Sequence, residues 1–388
     1  MTGRAGPADL RFALEEGIGA IEPEAWNACA GADNPFVSHA FLAALEESGS
    51  AGARTGWLPR HATLRDAGGS LLACAPLYAK GNSYGEYVFD HAWANALEQA
   101  GGSYYPKLQV AVPFSPVPGP RLLTRGNDAA LARTLGTALA EACGALKLSS
   151  AHATFCTAAE WEMLGGLGWL QRIGVQYHWT NQGYRDFDDF LDALSSRKRK
   201  AIRKERERAR EGLELRALTG AAIEPRHWEA FHRFYLNTVD KRWGQAYLTR
   251  RFWPLLGARL ADRVVLMVAE RGDEVVAAAL NLRGTEALFG RNWGAAIEQP
   301  FLHFELCYYM AIDYAISHGI GRVEAGAQGQ HKISRGYLPV PTYSAHHIAH
   351  PGLAAAVADF LARERPAMLA EIEALGEASP FRQDNEPA

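Results

Sequence analysis

Side chains that can move protons or hold anions are concentrated between residues 288 and 347. Histidine titrates close to neutral pH and burial can bring a carboxylate into the same range, so either can take a proton from a reacting group. Lysine and arginine bring positive charge to an anionic ligand. The residues of interest are Arg291, Trp293, His303, Glu305, Glu324, His331, Lys332, Arg335 and Tyr337. Because they occur together with glycine, they favour a reactive site over a solvated loop.

The local pattern predicts a strand, a helix, a second strand and a polar loop around these side chains. Apolar and polar residues alternate from Leu288 to Trp293, as in a half-buried strand. Apolar residues then recur at helical spacing from Phe301, with Pro300 in a first helical position, until Gly319. The next strand is expected at Arg322–Gly326, followed by the loop GAQGQHKISRGYLP. A polar loop at a strand end beside a helix N-terminus is a common ligand site in α/β proteins.

Length and composition set the class of protein. The 388 residues favour two domains, and a hydrophobic content of 48% is enough for full cores. The net charge of −3 argues against a dedicated nucleic-acid binder, although it permits a local basic patch. Five cysteines without C-x-x-C spacing fit a reducing compartment, with no structural disulfide or metal site expected. Since neither a signal peptide nor a membrane span is recognisable, we expect a cytoplasmic protein, with peripheral contact with the inner membrane as an option.

Two distant segments share one layout. Residues 60–78 and 264–282 each read as an apolar strand, a short charged turn containing glycine, and a second strand rich in small residues. The two copies lie about 200 residues apart, which suggests a duplicated α/β unit.

The segment from Lys80 to Leu123 is too long to be a plain connection and carries several polar candidates. It contains Gly81-Asn-Ser83-Tyr-Gly85, which matches the G-x-S-x-G pattern of a serine nucleophile. The alternative that we favour is a rigid loop lining a cleft. Its polar candidates are Glu86, Asp90, Tyr105, Lys107 and Arg121. Further along, His178 alternates with Gln176 and Asn181 on a predicted strand, where a structural and a catalytic role are equally open.

Three other patterns have both a structural and a functional interpretation. The helix predicted within residues 186–213 carries nine Lys or Arg between Arg197 and Arg210, either as a solvated face or as a contact for phosphates, lipid headgroups or RNA. The aromatic helices predicted within 223–259 form core or line an apolar channel. His346 and His350 have a spacing that suits a metal, but no carboxylate supports a metal site.

Several motifs together resemble a known family. They are SYGEYVFD, YYPKLQVAVPF, GPRLL, QYHWTNQGY, SSRKRKAIRKER, LHFELCYY, EAGAQGQHKISRGYLP and SAHHI. They resemble the Fem-like predicted N-acyltransferases of the GNAT superfamily, a peptidoglycan-biosynthesis-like group that includes bacterial ceramide synthases. The resemblance extends over roughly residues 20–370. It implies an α/β (α+β) fold of two tandem GNAT-like domains with mixed central sheets flanked by helices, at 1–182 and 183–375, before a polar tail at 376–388.

The resemblance also implies transfer of an acyl group to a primary amine. The ceramide synthase branch suggests a thioester donor, acyl-CoA or acyl carrier protein, and a sphinganine-type lipid amine as acceptor. Other Fem-like enzymes use aminoacyl-tRNA to build peptidoglycan cross-bridges, which is the alternative and the only one that requires nucleic acid. AAIEQPFLHFE replaces the usual acetyl-CoA pyrophosphate loop, so the donor stays open. A non-catalytic cell-wall recognition module is the third possibility, and no permanently bound cofactor is expected.

Amide formation assigns hypothetical roles to the candidate residues. An amine with a pKa near 10 must lose a proton before it attacks. The candidate bases are His331, Glu324, His303 and Glu305. Tyr337 would protonate the leaving group. Donor or substrate binding would fall to Arg291, Trp293, Lys332, Arg335 and His178 in the second domain, and to Glu86, Tyr105 and Lys107, which would close the cleft from the first.

Overall fold

The chain packs into two compact units. The computed structural model describes residues 10–241, 245–326 and 329–382. The first unit comprises the described residues up to Gly174 together with Thr342–Leu369, and the second comprises Val175–Pro341 together with the described residues from Ala370 onward. The predicted domain limits of 182 and 375 differ from these bounds mainly because Thr342–Leu369 packs within the first unit.

Strands and helices alternate along most of the described chain. The strands are β1 Arg11–Glu15, β2 Trp57–Pro59, β3 His61–Arg65, β4 Leu71–Ala75, β5 Leu77–Lys80, β6 Lys107–Val110, β7 Leu123–Thr124, β8 Ser150–Cys156, β9 Leu170–Thr180, β10 Glu214–Thr219, β11 Val264–Arg271, β12 Glu274–Arg283, β13 Ala287–Ala295, β14 Arg322–Glu324 and β15 Leu338–Ile348. The helices are α1 Pro23–Ala30, α2 His39–Glu47, α3 His91–Gln99, α4 Ala129–Ala145, α5 Ala158–Gly165, α6 Phe187–Asp192, α7 Ser196–Arg210, α8 Pro225–Lys241, α9 Phe252–Arg259, α10 Leu302–Phe304, α11 Met310–Ser317 and α12 Pro351–Gly376.

The first unit contains two sets of paired strands. In the smaller set β1, β3, β4 and β7 follow one another with antiparallel pairing. In the larger set the order is β2, β5, β6, β8 and β15, and β6 and β8 run parallel. Buried side chains from these strands and from α4, among them Leu108, Leu135 and Leu139, form a continuous apolar core.

Among the described residues of the second unit, the strands pair in the order β10, β11, β12, β13, β14, β9. Only β13 and β14 run parallel, and the other neighbours are antiparallel. Its core lies between this sheet and the helices α6, α7, α10 and α11, with Phe190, Leu306 and Ile312 fully buried.

A common order of strands appears in both units. In each unit, the second strand of an antiparallel pair also runs parallel to a third strand, and a helix lies between the two parallel strands in the chain. In the first unit β5 and β6 are antiparallel, β6 and β8 are parallel, and α4 precedes β8. In the second unit β12 and β13 are antiparallel, β13 and β14 are parallel, and α10 and α11 precede β14. The hairpins predicted at 60–78 and 264–282 are present as β3–β4 and β11–β12. The predicted α/β class with mixed sheets flanked by helices is therefore confirmed.

Two sequence patterns have a structural explanation. In the aromatic helices, Phe231 and Trp253 are fully buried with ring centroids 4.9 Å apart, so this part of the stripe is core. Trp243 lies outside the described residues.

Ser83 follows β5, but the next helix begins only at His91, so the strand–turn–helix of a nucleophile elbow is not formed there. None of the described helices is long and apolar enough to cross a membrane.

Candidate functional site

The parallel strands of the second unit separate at their carboxyl ends. β13 and β14 pair from Ala287 with Arg322 to Phe289 with Glu324, where β14 ends while β13 continues to Ala295. On the other side of β13, the pairing with β12 shifts so that Arg291 and Asn292 lie opposite a single residue. Such a bulge bends the strand and increases its twist. The end of β13, with Arg291 and Trp293, is thus set apart from β14.

The helix between these strands starts differently from the prediction. Pro300 was expected at a first helical position, but α10 begins at Leu302 because Phe301 has a left-handed backbone with φ of 64°. A π-helical turn, Glu305–Tyr309, then separates α10 from α11. Single π-turns inside helices are frequent at functional sites, since they change the direction of the side chains that follow.

A cavity of about 570 Å³ lies beside this helix start. Its lining is mostly apolar and aromatic, as is usual for binding pockets. The lining residues are Trp293, Ile297, Glu298, Gln299, Pro300, Phe301, Leu302, His303 and Phe304. Two of the predicted site residues, Trp293 and His303, therefore face one cavity, with their ring centroids 5.0 Å apart.

His331 joins the aromatic cluster behind the cavity. Its Nε2 lies 3.1 Å from the hydroxyl of Tyr308, and its ring centroid is 5.5 Å from that of Phe304 and 6.4 Å from that of His303. Partial burial, followed by the charges of Arg335 and Lys332, lowers the pKa of His331. The imidazole is therefore neutral at pH 7 and able to accept a proton.

Gly329 makes room for this histidine. Its φ is 101°, and a Cβ there would lie 2.4 Å from Cε1 of His331. Only glycine combines this backbone conformation with the close approach of the ring. Gln328, named in the loop motif, lies outside the described residues.

Glu324 and His178 are partners across β14 and β9. Glu324 is buried, and its Oε1 accepts a hydrogen bond from Nε of Arg322 at 2.9 Å, while its Oε2 lies 3.8 Å from Nε2 of His178. Burial, with the charges of Arg322 and Lys332, lowers the pKa of His178 to about 3. The pair is thus a carboxylate with a cationic neighbour beside a neutral imidazole, at the point where β14 ends.

Lys332 and Arg335 fasten the loop after β14. The Lys332 ammonium donates to the carbonyls of Ala325 at 2.6 Å and Gly326 at 3.0 Å, and burial lowers its pKa to about 8. Arg335 donates to both carboxylate oxygens of Glu205 and stacks 3.6 Å over the ring of Phe304. Both cations therefore hold protein groups, and their predicted contact with an anionic donor stays a prediction.

Two predicted residues lie deeper in the unit and do not line the cavity. Glu305 is fully buried and accepts hydrogen bonds from Arg206 and Arg210, at distances down to 2.6 Å. Tyr337 is fully buried, donates its hydroxyl to the carbonyl of Tyr308 at 3.0 Å, and has its pKa raised by burial. The contacts of Glu305 hold α7 against the π-turn, and those of Tyr337 support Tyr308.

In the first unit, Glu86, Tyr105 and Lys107 come together as a buried polar cluster. The Lys107 ammonium donates to Glu86 Oε2 at 2.8 Å, to Ser83 Oγ at 3.0 Å and to Asp90. Ser83 Oγ also shares a hydrogen bond of 2.8 Å with the Tyr105 hydroxyl. Ser83 Oγ thus accepts a hydrogen bond from a lysine that is itself held by carboxylates, whereas an activated serine nucleophile donates its hydroxyl proton to a base.

Burial and charge act in opposite directions within this cluster. Burial raises the pKa of Glu86 to about 7 despite the nearby Lys107 ammonium. Burial also lowers the pKa of Lys80 to about 7, although Glu86 lies 3.8 Å from its Nζ. For Lys107, burial is outweighed by the charges of Glu86 and Asp90, which raise its pKa. The cluster therefore contains groups that exchange protons near neutral pH.

A chain of hydrogen bonds continues from Asp90 to two histidines. Tyr104 donates to Asp90 Oδ2 at 2.7 Å and lies 3.3 Å from His152, whose Nδ1 is 2.8 Å from Nδ1 of His346. Burial lowers the pKa of His152 to about 3 and that of His346 as well. Both rings are therefore neutral. Within the described chain no group of three or more His, Cys, Asp or Glu side chains is placed to hold a metal.

With this geometry established, comparison with known proteins identifies the family. The sequence matches the family model described as FemAB-like, peptidoglycan biosynthesis/recognition, over residues 17–383. The chain belongs to the FemAB-like family. The predicted resemblance is thus confirmed over nearly the whole length. A search of curated proteins gives no match.

Solved structures share the fold of this FemAB-like protein. A crystal structure of FemX aligns with a TM-score of 0.55 and 10% identity, covering 87% of this chain and 98% of that chain. The structure of L-PGS from Bacillus licheniformis aligns with a TM-score of 0.50 and 11% identity, covering 89% and 98%. A tandem GNAT protein from the clavulanic acid biosynthesis pathway aligns with a TM-score of 0.46 and 11% identity, covering 88% and 99%. At such identities the first two likenesses show a shared fold and nothing beyond it.

Several residues at these positions were not among the predicted site residues. Tyr308 was assigned to the apolar helical stripe, since tyrosine at that spacing is usually core. Asp90 was grouped with Lys107 among the polar candidates of the 80–123 segment, whereas Ser83 was considered only as a nucleophile, and nothing in the sequence shows that both contact the Lys107 ammonium. Arg206 and Arg210 were part of the basic run, whose individual partners cannot be read from spacing alone.

Proposed function

We propose that this protein is an amide-forming N-acyltransferase that moves an aminoacyl group from a charged tRNA to a primary amine of a peptidoglycan precursor. The family description, peptidoglycan biosynthesis/recognition, supports an acceptor of this class. Membership of the FemAB-like family and the fold shared with FemX support the reaction type. Within the Fem-like resemblance, aminoacyl-tRNA is the donor used to build peptidoglycan cross-bridges.

The observation that carries the proposal is the pairing of His331 with Tyr308 behind the cavity lined by Trp293 and His303. If Nε2–H of His331 donates to the Tyr308 oxygen, the lone pair of Nδ1 is available to accept a proton. The lowered pKa keeps that nitrogen unprotonated at pH 7. A neutral imidazole is well matched to the deprotonation of an incoming ammonium.

The reaction then proceeds without a covalent enzyme intermediate. The acceptor ammonium transfers one proton to His331, and the resulting amine attacks the carbonyl carbon of the aminoacyl ester. The C–N bond forms and the C–O bond to the tRNA ribose breaks. The attacking nitrogen gives up its second proton to the ribose oxygen, which leaves as a hydroxyl, and His331 releases the first proton to solvent. Backbone N–H groups of the separated strand β13 are candidates to hold the developing oxyanion.

The test uses the purified full chain with tRNA charged with radiolabelled amino acids and a peptidoglycan precursor that carries a primary amine. We expect label in the precursor, loss of transfer after ribonuclease treatment, and a fall in kcat of about 10²- to 10⁴-fold for His331→Gln. Glutamine keeps a donor for Tyr308 but cannot accept a proton. Transfer that is unaffected by ribonuclease, or full turnover by His331→Gln, would contradict the proposal.

A second candidate is transfer from an acyl thioester, on CoA or on an acyl carrier protein, to a sphinganine-type long-chain base. The mainly apolar lining of the cavity, with Ile297, Phe301 and Phe304, favours a lipid chain. In the same assay, product from acyl-CoA and sphinganine without any RNA would select this candidate. A protein that binds peptidoglycan fragments but turns over neither pair of substrates would instead be a recognition module.

A further inference from the structure

Helix α7 in the second unit presents three different faces. With a rotation of about 100° per residue, Ile202 and Ala209 fall on one face and are buried. A second face carries arginines that are paired with carboxylates. The third face, which we call the basic stripe, carries Arg197, Lys200, Lys204 and Arg208 within an arc of about 80°.

The paired face is electrostatically satisfied within the protein. Arg199 lies 2.7 Å from Asp192, and Arg203 lies 3.0 Å from Asp188. Arg206 and Arg210 both contact the buried carboxylate of Glu305. These four arginines therefore have a structural explanation: they attach α7 to α6 and to the π-turn.

The basic stripe has no such explanation. Its four residues are exposed, and none has a carboxylate within 4 Å among the described residues. Along the stripe, Lys200 and Lys204, and then Lys204 and Arg208, are four residues apart. Like charges at this spacing destabilise a helix. The helix thus keeps a row of mutually repelling cations over a length of about 16 Å.

The stripe leads to the cavity. The guanidinium of Arg208 lies 5.5 Å from the ring centroid of Phe301, which lines that cavity. Gln299, another lining residue, donates its side-chain amide to the carbonyls of Arg208 at 2.9 Å and Glu211 at 3.4 Å. The end of the basic stripe and the rim of the cavity are therefore held together by direct contacts within one unit.

We propose that the basic stripe binds the phosphodiester backbone of RNA and directs its acylated end toward the cavity at Phe301. This assignment rests on the proposed function in that the RNA is the carrier of the acyl group. A row of exposed cations with matching spacing and no base-reading groups suits backbone contacts, which position a nucleic acid without reading its sequence. The acidic net charge of the whole chain is compatible, because such contacts act within about 8 Å at physiological salt.

An anionic membrane fits this surface less well. A helix that lies on a membrane inserts an apolar face opposite its charged face. The apolar residues of α7, Ile202 and Ala209, are buried in the protein and cannot be inserted. A membrane could therefore interact with α7 only through its charges, without the apolar insertion that anchors such a helix. Binding to an RNA phosphate backbone requires only the charges.

The test measures the salt dependence of binding to a fluorescently labelled mixture of deacylated tRNAs. In Lys200→Gln/Lys204→Gln, two phosphate contacts are removed. The slope of log Kd against log salt should therefore become less steep by about 1.4 to 1.8, from 0.7–0.9 per contact. The matched control is Arg199→Gln/Arg203→Gln on the same helix, which loses the same charge from the paired face and should keep the wild-type slope.

The outcomes separate the stripe from the proposed function. An unchanged slope in Lys200→Gln/Lys204→Gln, or an equal change in the control, overturns the assignment. So does loss of binding to phosphatidylglycerol vesicles in the stripe variant while tRNA binding is kept. Circular dichroism of both variants establishes that α7 is intact. Wild-type tRNA binding that depends on the stripe, together with no aminoacyl transfer, would refute the proposed reaction and leave the surface assignment standing.

Discussion

The carboxyl group of Glu86 should make the stability of the protein fall as pH rises toward neutrality. Its side chain is 1% exposed, and burial raises its pKa from the ordinary 4.5 to about 7. Because the folded state holds the proton more tightly than the unfolded state, the contribution is fully present below pH 4.5 and is lost as pH passes 7. One pKa unit corresponds to 1.36 kcal/mol, so the loss is about 3 kcal/mol.

Glu86→Gln tests this directly, since glutamine resembles the protonated carboxyl and does not titrate. We expect wild type and variant to have similar free energies of unfolding near pH 4.5, and the variant to be more stable by about 3 kcal/mol at pH 8. Urea denaturation at steps between these pH values measures the difference. Glu98→Gln is the control, because Glu98 is exposed in the same unit. A difference between wild type and Glu86→Gln that is constant with pH, or that has the opposite sign, would refute the reasoning.

Three further substitutions have defined outcomes. Lys107→Met leaves the carboxylates of Glu86 and Asp90 buried without their main cation, so urea denaturation at pH 8 should show a loss of about 3–5 kcal/mol, and a loss below 1 kcal/mol would contradict the ion-pair role. Gly329→Ala should cost about 1–3 kcal/mol because of its positive φ and should displace His331; a Tm equal to wild type would show that the loop adapts. Tyr308→Phe removes the hydroxyl next to His331, so the histidine pKa measured by NMR should change, whereas an unchanged pKa would mean that this contact is not formed in solution.

Much of the fold could be predicted from local pattern. The strand at 288–293, the helix up to Gly319 and the two hairpins follow from apolar periodicity and turn residues, which act over a few neighbours. The prediction that the helix begins at Pro300 was wrong because Phe301 adopts a left-handed backbone. The π-turn at Glu305–Tyr309 has no reliable signal in the sequence. The return of Thr342–Leu369 to the first unit depends on pairing between distant strands, which no local pattern encodes.

The sequence could predict which types of residue belong to the candidate site, but not which partner each of them contacts or how deeply it is buried. His303 and Trp293 line one cavity, and His331 lies behind it, as their grouping in sequence suggested. The buried contacts of Glu305 and Tyr337 depend on residues more than 20 positions away in the sequence. Their roles in catalysis stay predictions. A titratable residue can be recognised in a sequence, but its burial and partner, which set its pKa, arise only from the packed structure.

The return of the chain to the first unit has a consequence during protein synthesis. All seven residues of β8 are buried, and its antiparallel neighbour β15 is made about 200 residues later. At roughly 5–20 residues per second, the ribosome needs about 10–40 s to supply that neighbour. Over this interval the nascent amino-terminal part exposes the unpaired edge of a strand that is buried in the finished fold, so chaperone binding is expected to begin before translation has ended.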